Sequence, residues 1–223
     1  MRIGILGTGT LAGALGTSWA RAGHDLVVGG RSRLKAQELA ERLGGAARAG
    51  TPREAVTGRD AVLLAVLCEG AQDILASAGA AEGALDGTPL IDPTNDVEHG
   101  VGVLRAGPGG SAAQHIAALA PGAHVVKAFH LFPAGHWTSP DGQPPAVVAM
   151  CGDNPAALHI TSQLVRDAGG TPAVLGPLSR VRQLEEVAGF VIGLAFAGFD
   201  PNSAIPRVPS PAAPEPPAAR PAI

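Results

Sequence analysis

The feature that most constrains this chain is a glycine-rich turn at residue 7, set between a short apolar run and a helix with one apolar stripe. Arg2-Ile3-Gly4-Ile5-Leu6 has no polar break beyond Arg2, as a strand covered on both faces requires. Gly7-Thr8-Gly9-Thr10-Leu11-Ala12 comes next without a spacer and fits the dinucleotide fingerprint with Ala12 as its third small residue. The first glycine permits a tight turn, the second lets backbone approach a pyrophosphate, and the third small residue lets helix pack on strand. Leu11, Leu15 and Trp19 recur every fourth residue, which predicts a helix from Thr10 to about Ala22 with one buried stripe. Its free amides and its dipole would point to where a diphosphate lies. Gly23 and His24 end that helix, and Asp25-Leu26-Val27-Val28-Gly29 is the second strand.

The residues just past the second strand decide the dinucleotide. A site for the unphosphorylated form places Asp or Glu there to bond the ribose hydroxyls, and an acid would repel a 2′-phosphate. Here the residues are Gly30, Arg31, Ser32 and Arg33, with Lys35 close behind. Guanidiniums bond phosphate oxygens in pairs, so this segment and the start of the next helix form a cradle for the 2′-phosphate of NADP(H).

The strand-helix alternation continues. Asp60-Ala61-Val62-Leu63-Leu64-Ala65-Val66 is a buried strand leading into Leu67, Cys68 and Glu69. Thr88-Pro89-Leu90-Ile91-Asp92 leads into Pro93, Thr94 and Asn95, where Asp92 and Asn95 serve either a turn or a ligand. Val125-Val126-Lys127-Ala128-Phe129 continues as His130 to Trp137, placing polar and aromatic groups at the carboxyl edge of the sheet. Weaker strands are read at 46–49, 146–150 and 171–175, and helices at 33–43, 71–80, 112–119, 155–168 and 179–199, with a short one from Pro52. In the last helix Leu184, Val187, Val191, Leu194 and Phe196 are read as inward-facing, and its glycines allow close packing on another helix or a second subunit. Residues 98–110 are glycine-rich and loop-like, either closing over a ligand or merely connecting. The pattern predicts an α/β fold of Rossmann type, a doubly wound and mainly parallel sheet. It divides into an NADP-binding domain (1–145), a small C-terminal α/β extension with a long helix (146–206), and a Pro/Ala-rich tail (207–223) expected to be disordered.

Composition excludes several functions. Net charge is −3 with scattered basic residues, so no nucleic-acid partner is expected. The longest apolar stretch, 187–199, contains three glycines and is too short to span a bilayer. The start feeds directly into a core strand, which predicts no cleavable leader and a cytoplasmic protein. Cys68 and Cys151 lack metal-ligand spacing, as do His24, His99, His115, His124 and His159, so reduced thiols and no metal site are expected. There is no tyrosine, which rules out carbonyl reduction by a phenol donor. Lys35 and Lys127 are the only lysines, poor support for Schiff-base chemistry. Hydride transfer by positioning remains, with His130 as the candidate catalytic proton donor and His136 as a weaker one. Packing of either imidazole at the sheet edge is the competing reading.

Over residues 1–206 the chain resembles the NADPH-dependent reductases of the deazaflavin coenzyme F420. The resemblance is carried by the N-terminal glycine turn, Val28-Gly29-Gly30-Arg31-Ser32, Asp92-Pro93-Thr94-Asn95, Val125-Val126-Lys127-Ala128-Phe129 and Arg182-Gln183-Leu184-Glu185. It implies a homodimeric oxidoreductase passing hydride between the nicotinamide and the deazaflavin ring, and a composition rich in Ala, Gly, Arg and Pro points to a high-GC bacterial source. It also implies 2′-phosphate contacts at Gly30, Arg31 and Ser32, and a nicotinamide near Ala65, Val66 and Leu67 and near Asp92, Thr94 and Asn95. Two positions depart from the family pattern: Gly30 stands where serine is common, and His130 where asparagine is common. With a changed acceptor edge, two alternatives stay open. One is reduction of a small ketone or imine from a biosynthetic pathway; the other is a non-redox, nucleotide-binding or substrate-shaping role on the same fold.

Overall fold

The structure, a computed structural model, describes residues 1–138 and 145–206, so the tail expected at 207–223 lies outside the described residues. The first strand, β1 (Arg2–Leu6), runs into helix α1 (Thr10–Arg21) and strand β2 (Asp25–Gly29). Helix α2 (Arg33–Leu43), strand β3 (Arg48–Gly50), helix α3 (Pro52–Val56) and strand β4 (Ala61–Leu64) complete the first half. Helix α4 (Ala71–Ala78), strand β5 (Pro89–Asp92), helix α5 (Ala112–Leu119) and strand β6 (His124–Lys127) come next. Strand β7 (Val147–Gly152), helix α6 (Pro155–Asp167), strand β8 (Thr171–Gly176) and helix α7 (Val181–Phe196) close the described chain.

The eight strands of the described residues form one sheet in the order β3-β2-β1-β4-β5-β6-β7-β8. Every pairing is parallel except β6 with β7, which gives the expected Rossmann-type α/β architecture. Alternating side chains feed two cores. Ile3, Ile5, Leu26, Val28, Ala61 and Leu63 face α1, α2 and α6, while Leu6, Val27, Val62, Leu64 and Leu90 face α3, α4, α5 and α7. Strands buried on both faces must be apolar throughout, which is why the runs were recognisable from residue type alone.

Where β5 and β6 run side by side, Asp92 lies opposite Lys127, and both side chains are completely buried. The ammonium donates to Asp92 Oδ2 at 3.0 Å and to the Thr94 carbonyl, and it lies 3.1 Å from Glu185 Oε1 of α7. Glu185 in turn accepts the amides of Ala112 (2.9 Å) and Ala113 (3.1 Å) at the start of α5. All three lysine protons are therefore used. The surplus negative charge of two carboxylates faces the positive end of a helix. Burial draws the ammonium pKa down, but Asp92 and Glu185 outweigh it and hold it above the ordinary lysine value.

One expectation for α7 is overturned. Leu184 is buried, but Val187 and Phe196 are 41% and 54% exposed, and Val191 and Leu194 are half-buried. The α7 glycines receive a hairpin of the chain itself. Where residues 98–110 are read as loop, Leu104 forms an antiparallel bridge with Val97, just before that segment. The tip residue Gly102 (φ +81°) sits so close to the α7 backbone that a Cβ there would fall 2.2 Å from Gly189 O and 2.7 Å from Gly193 N.

Removing the central cation should expose the strength of the buried network. Lys127→Met leaves two buried carboxylates without their partner, and the expected loss is about 3 to 5 kcal/mol, read as a lowered denaturation midpoint. Because the folded lysine pKa is raised, the wild-type contribution is complete below the unfolded value of 10.5 and fades as pH rises through the folded one. A loss under about 1 kcal/mol, the value of a surface pair, would refute the network as described.

Candidate functional site

A crevice of about 900 Å³ lies outside the carboxyl ends of β2, β1, β4 and β5, where the sheet order reverses and α/β folds bind ligands. Its middle is the glycine turn. Gly7 has φ +122° and donates its N–H to Gly29 O at 2.8 Å. A Cβ at Gly7 would sit 2.1 Å from Ala65 O, so only glycine allows β1 to turn against the end of β4. Gly9 caps α1 without a side-chain hydrogen bond, and the first turn of α1 has no acid. A Cβ at Gly9 would meet nothing within 4 Å. The first amides of a 12-residue helix are thus free and open to the crevice, as a diphosphate requires.

At the β2 end the lining is Gly30, Arg31, Ser32 and Lys35. The Ser32 hydroxyl caps α2, accepting from the Lys35 amide at 3.3 Å. No carboxylate lines this end, so two cations and a helix start fit a 2′-phosphate. Arg33 is exposed, does not line the crevice, and contributes its charge toward Glu54. As the first residue of α2, its side chain leaves on another face of the helix, and Lys35 lines the crevice in its place.

Beyond β4 and β5 the wall consists of Ala65, Val66, Leu67 and Cys68 with Pro93, Thr94 and Asn95. Asp92 lies beneath this wall, accepting the Thr94 amide on Oδ1 at 2.8 Å and Lys127 on Oδ2; it fixes the turn and does not line the crevice. Asn95 donates from Nδ2 to His130 O at 2.6 Å. Thr94 Oγ1 and Asn95 Oδ1 are buried without a hydrogen-bond partner among the described residues. Ala12 is also buried, packed in the core as the third small residue should be. Burial, with Asp96 and Asp92 nearby, pushes the Cys68 thiol up to about 11, which keeps it protonated and unreactive near neutrality.

The far end is formed by residues to which no site role was given: Val97, His99 and Arg105 of the hairpin, with Ile192 and Phe196 of α7. His99 stands edge-on to Phe196, ring centres 4.8 Å apart. Arg105 reaches across to Glu69 at 2.6 Å. The glycines of residues 98–110 hinted at a closing segment, but nothing local in the sequence shows that α7 supplies its backing.

His130, the candidate catalytic residue, does not line the crevice. It is 6% exposed and sits beneath residues 92–95, with Nδ1 unpartnered. Burial, reinforced by the Lys127 ammonium, pushes its imidazole down to about 3. A ring held neutral and enclosed has no imidazolium to offer as a general acid near neutral pH. His136 and Phe132 pack on Trp137, and Trp137 is buried against Phe129, itself edge-on to Trp19 of α1. This aromatic cluster fills core instead of shaping a pocket. Among the described residues no cluster of three or more His, Cys, Asp or Glu could hold a metal ion, and no helix is long and apolar enough to cross a membrane.

Comparison with known proteins agrees with this geometry. Residues 2–96 match the family of NADP oxidoreductases described as coenzyme F420-dependent, so over those residues the chain has the sequence pattern of an NADP-dependent oxidoreductase. The metalloreductase STEAP3 of Rattus norvegicus is 30% identical over 186 residues, 83% of this chain, and the chain spans 36% of that protein. A solved protein of Arthrobacter sp. FB24, provisionally described as an F420-dependent NADP reductase, superimposes with TM-score 0.75 at 22% identity. That alignment covers 88% of this chain and 95% of the other. A reductive aminase of Aspergillus terreus, solved with NADPH4, cyclohexanone and allyl amine, gives TM-score 0.63 at 22% identity, covering 88% and 62%. At such identities the two solved structures establish the shared fold alone.

The buried imidazole has a measurable signature. Its folded pKa, about 3 against an ordinary 6.5, means that below pH 6.5 the unfolded chain takes up a proton that the folded one refuses. Stability is therefore lost as pH falls from that value toward the folded one. His130→Gln should flatten this part of the curve of melting temperature against pH. An unchanged slope between pH 7 and 4 would mean that the ring is open to solvent.

Proposed function

We propose that this NADP-dependent oxidoreductase passes hydride between NADP(H), held along the β2 and β1 side of the crevice, and the deazaflavin ring of coenzyme F420, received in the half bounded by the hairpin and α7. The observation that carries the reading is the make-up of that second half. Val97, Ile192 and Phe196 offer apolar surface there, while three of the nearby groups able to give up a proton are withheld. Lys127 has every donor committed, Cys68 holds its proton, and His130 is neutral and enclosed. Hydride transfer between two stacked rings needs close, fixed approach more than an acid. The family description matched over residues 2–96 supports the same acceptor.

The free amides of α1 and the open face of Gly9 would hold the pyrophosphate. Arg31, Ser32 and Lys35 would take the 2′-phosphate. Ala65, Val66 and Leu67 with Thr94 and Asn95 would border the nicotinamide. Bound there, NADPH supplies the hydride. The hairpin, seated on α7, would exclude water from the meeting rings. One observation favours a second reading, reduction of a ketone or imine: the His99 imidazole lines the acceptor end beside Phe196, where a proton donor would have to stand. The reading also includes a cytoplasmic homodimer joined through the exposed apolar side chains Val187, Phe190, Phe199 and Ile205. Sedimentation equilibrium should give twice the chain mass, and Phe190→Asp should give the monomer; a monomeric wild type would reject the dimer.

Mixing the protein with NADPH and oxidised F420 should bleach the deazaflavin band catalytically. NADPH should be preferred to NADH by about 1 to 3 kcal/mol in kcat/KM, and Arg31→Glu should remove that preference. An intact band, with NADPH consumed on a cyclic imine instead, would overturn the deazaflavin assignment in favour of the second reading.

A further inference from the structure

Three cationic side chains line the crevice: Arg31 and Lys35 at the β2 end, and Arg105 at the opposite end. The first two belong with the dinucleotide. Arg105 stands at the base of the hairpin, its amide bonded to Asp96 O at 2.9 Å. Its Nη1 donates to Glu69 Oε1 at 2.6 Å, and Asp96 Oδ1 is 3.8 Å away. Glu69 belongs to the short 3₁₀ turn after β4, Cys68–Gly70, so the pair bridges the two lips of the acceptor half.

The pair is poorly suited to a structural role. Its side chains are 45% and 63% exposed, and ion pairs of that kind add little to stability. Arg182 on the neighbouring face of α7 is different, with Nη1 donating to the Gly107 and Gly110 carbonyls and Nη2 paired with Glu186. Arg182 ties a loop to a helix. Among the donors shown for Arg105, only Nη1 is engaged by a side chain, and a solvated carboxylate holds it.

We infer that Arg105 is a specificity-determining residue, the clamp for an anionic side chain carried by the ring acceptor, with Glu69 occupying the guanidinium until that anion arrives. This rests on the reading of the crevice as a hydride-transfer site with a planar ring acceptor. Coenzyme F420 carries a phosphodiester and glutamate carboxylates beside its ring, and the same ring with a plain ribityl chain carries none. A phosphate oxygen pair matches the guanidinium fork better than one exposed carboxylate does. Release of Glu69 into water costs little, so the exchange favours the acceptor. The crevice would then grip an anion at each end, with the two reacting rings between them.

Steady-state kinetics with NADPH and these two deazaflavins test the clamp. Arg105→Gln should raise KM for F420 roughly tenfold more than KM for the ring with the plain ribityl chain, as expected for loss of one charge-assisted contact. Glu69→Gln, which frees the guanidinium, should lower KM for F420. Equal effects of Arg105→Gln on the two rings would overturn the inference while leaving the deazaflavin reading in place. If the wild type reduces neither ring, that reading falls, and the clamp is decided by equilibrium binding of flavin mononucleotide against riboflavin to the NADP⁺-loaded protein. Tighter binding of the phosphorylated flavin, lost in Arg105→Gln, would uphold the clamp; equal binding of both by the wild type would reject it.

Discussion

The arrangement of this protein depends on one buried ammonium. Lys127 has no exposed surface, and an unpaired charge in that position would be prohibitively costly. Its partners must therefore come to it: Asp92 from the adjacent strand, the Thr94 carbonyl from the turn after that strand, and Glu185 from α7. Each partner drags a structural element along. Asp92 and Thr94 define the turn that walls the crevice, and Glu185 pins α7 against the start of α5. One wall of the proposed nicotinamide site and one of the acceptor half are thus fixed by a group that lines neither. A buried ion network of this sort is weak evidence for stability, since an apolar replacement of all members could do as well. Its value here is positional: only one register of β5 against β6 and one placement of α7 satisfy all three protons.

The legible part of the fold was whatever depends on a residue's own neighbours. Ser111, read from sequence as a cap, accepts the Gln114 amide at 3.1 Å and starts α5 at Ala112. The β1 turn, the basic segment after β2 and the strands buried on both faces were equally plain, because glycine, charge and unbroken apolar runs carry their meaning locally. His130 shows where such reasoning stops. Its position just past a strand suggested the crevice, but β6 lies one strand beyond β5 in the sheet. The chain also turns at Phe129 with φ +62°, and His130 ends beneath the wall it was expected to form.

The same limit explains α7 and the far end of the crevice. Its apolar residues at helical spacing were read as facing a core, yet several stay exposed and Phe196 lines the crevice. Its glycines do permit close approach, but what approaches is a hairpin and not a helix or a second subunit: the partner of Gly189 is Gly102, 87 residues earlier. Periodicity states that a face is apolar; it does not state what covers that face. Lys127 and Glu185, too, each lie in a segment that carries the family resemblance, but no spacing rule says that they meet.

The contact of Gly102 with Gly189 and Gly193 bears on how such a protein could change its acceptor. Main-chain atoms meet there without side chains between them, so the height of the hairpin above α7 is set by backbone radii, and a methyl group at 102 would push the two apart. Residues 97, 99, 105, 192 and 196 line the crevice at that end. A library that varies those five positions and keeps the three glycines would redraw the acceptor pocket on an unchanged frame, whereas one that varies the glycines would move the frame itself.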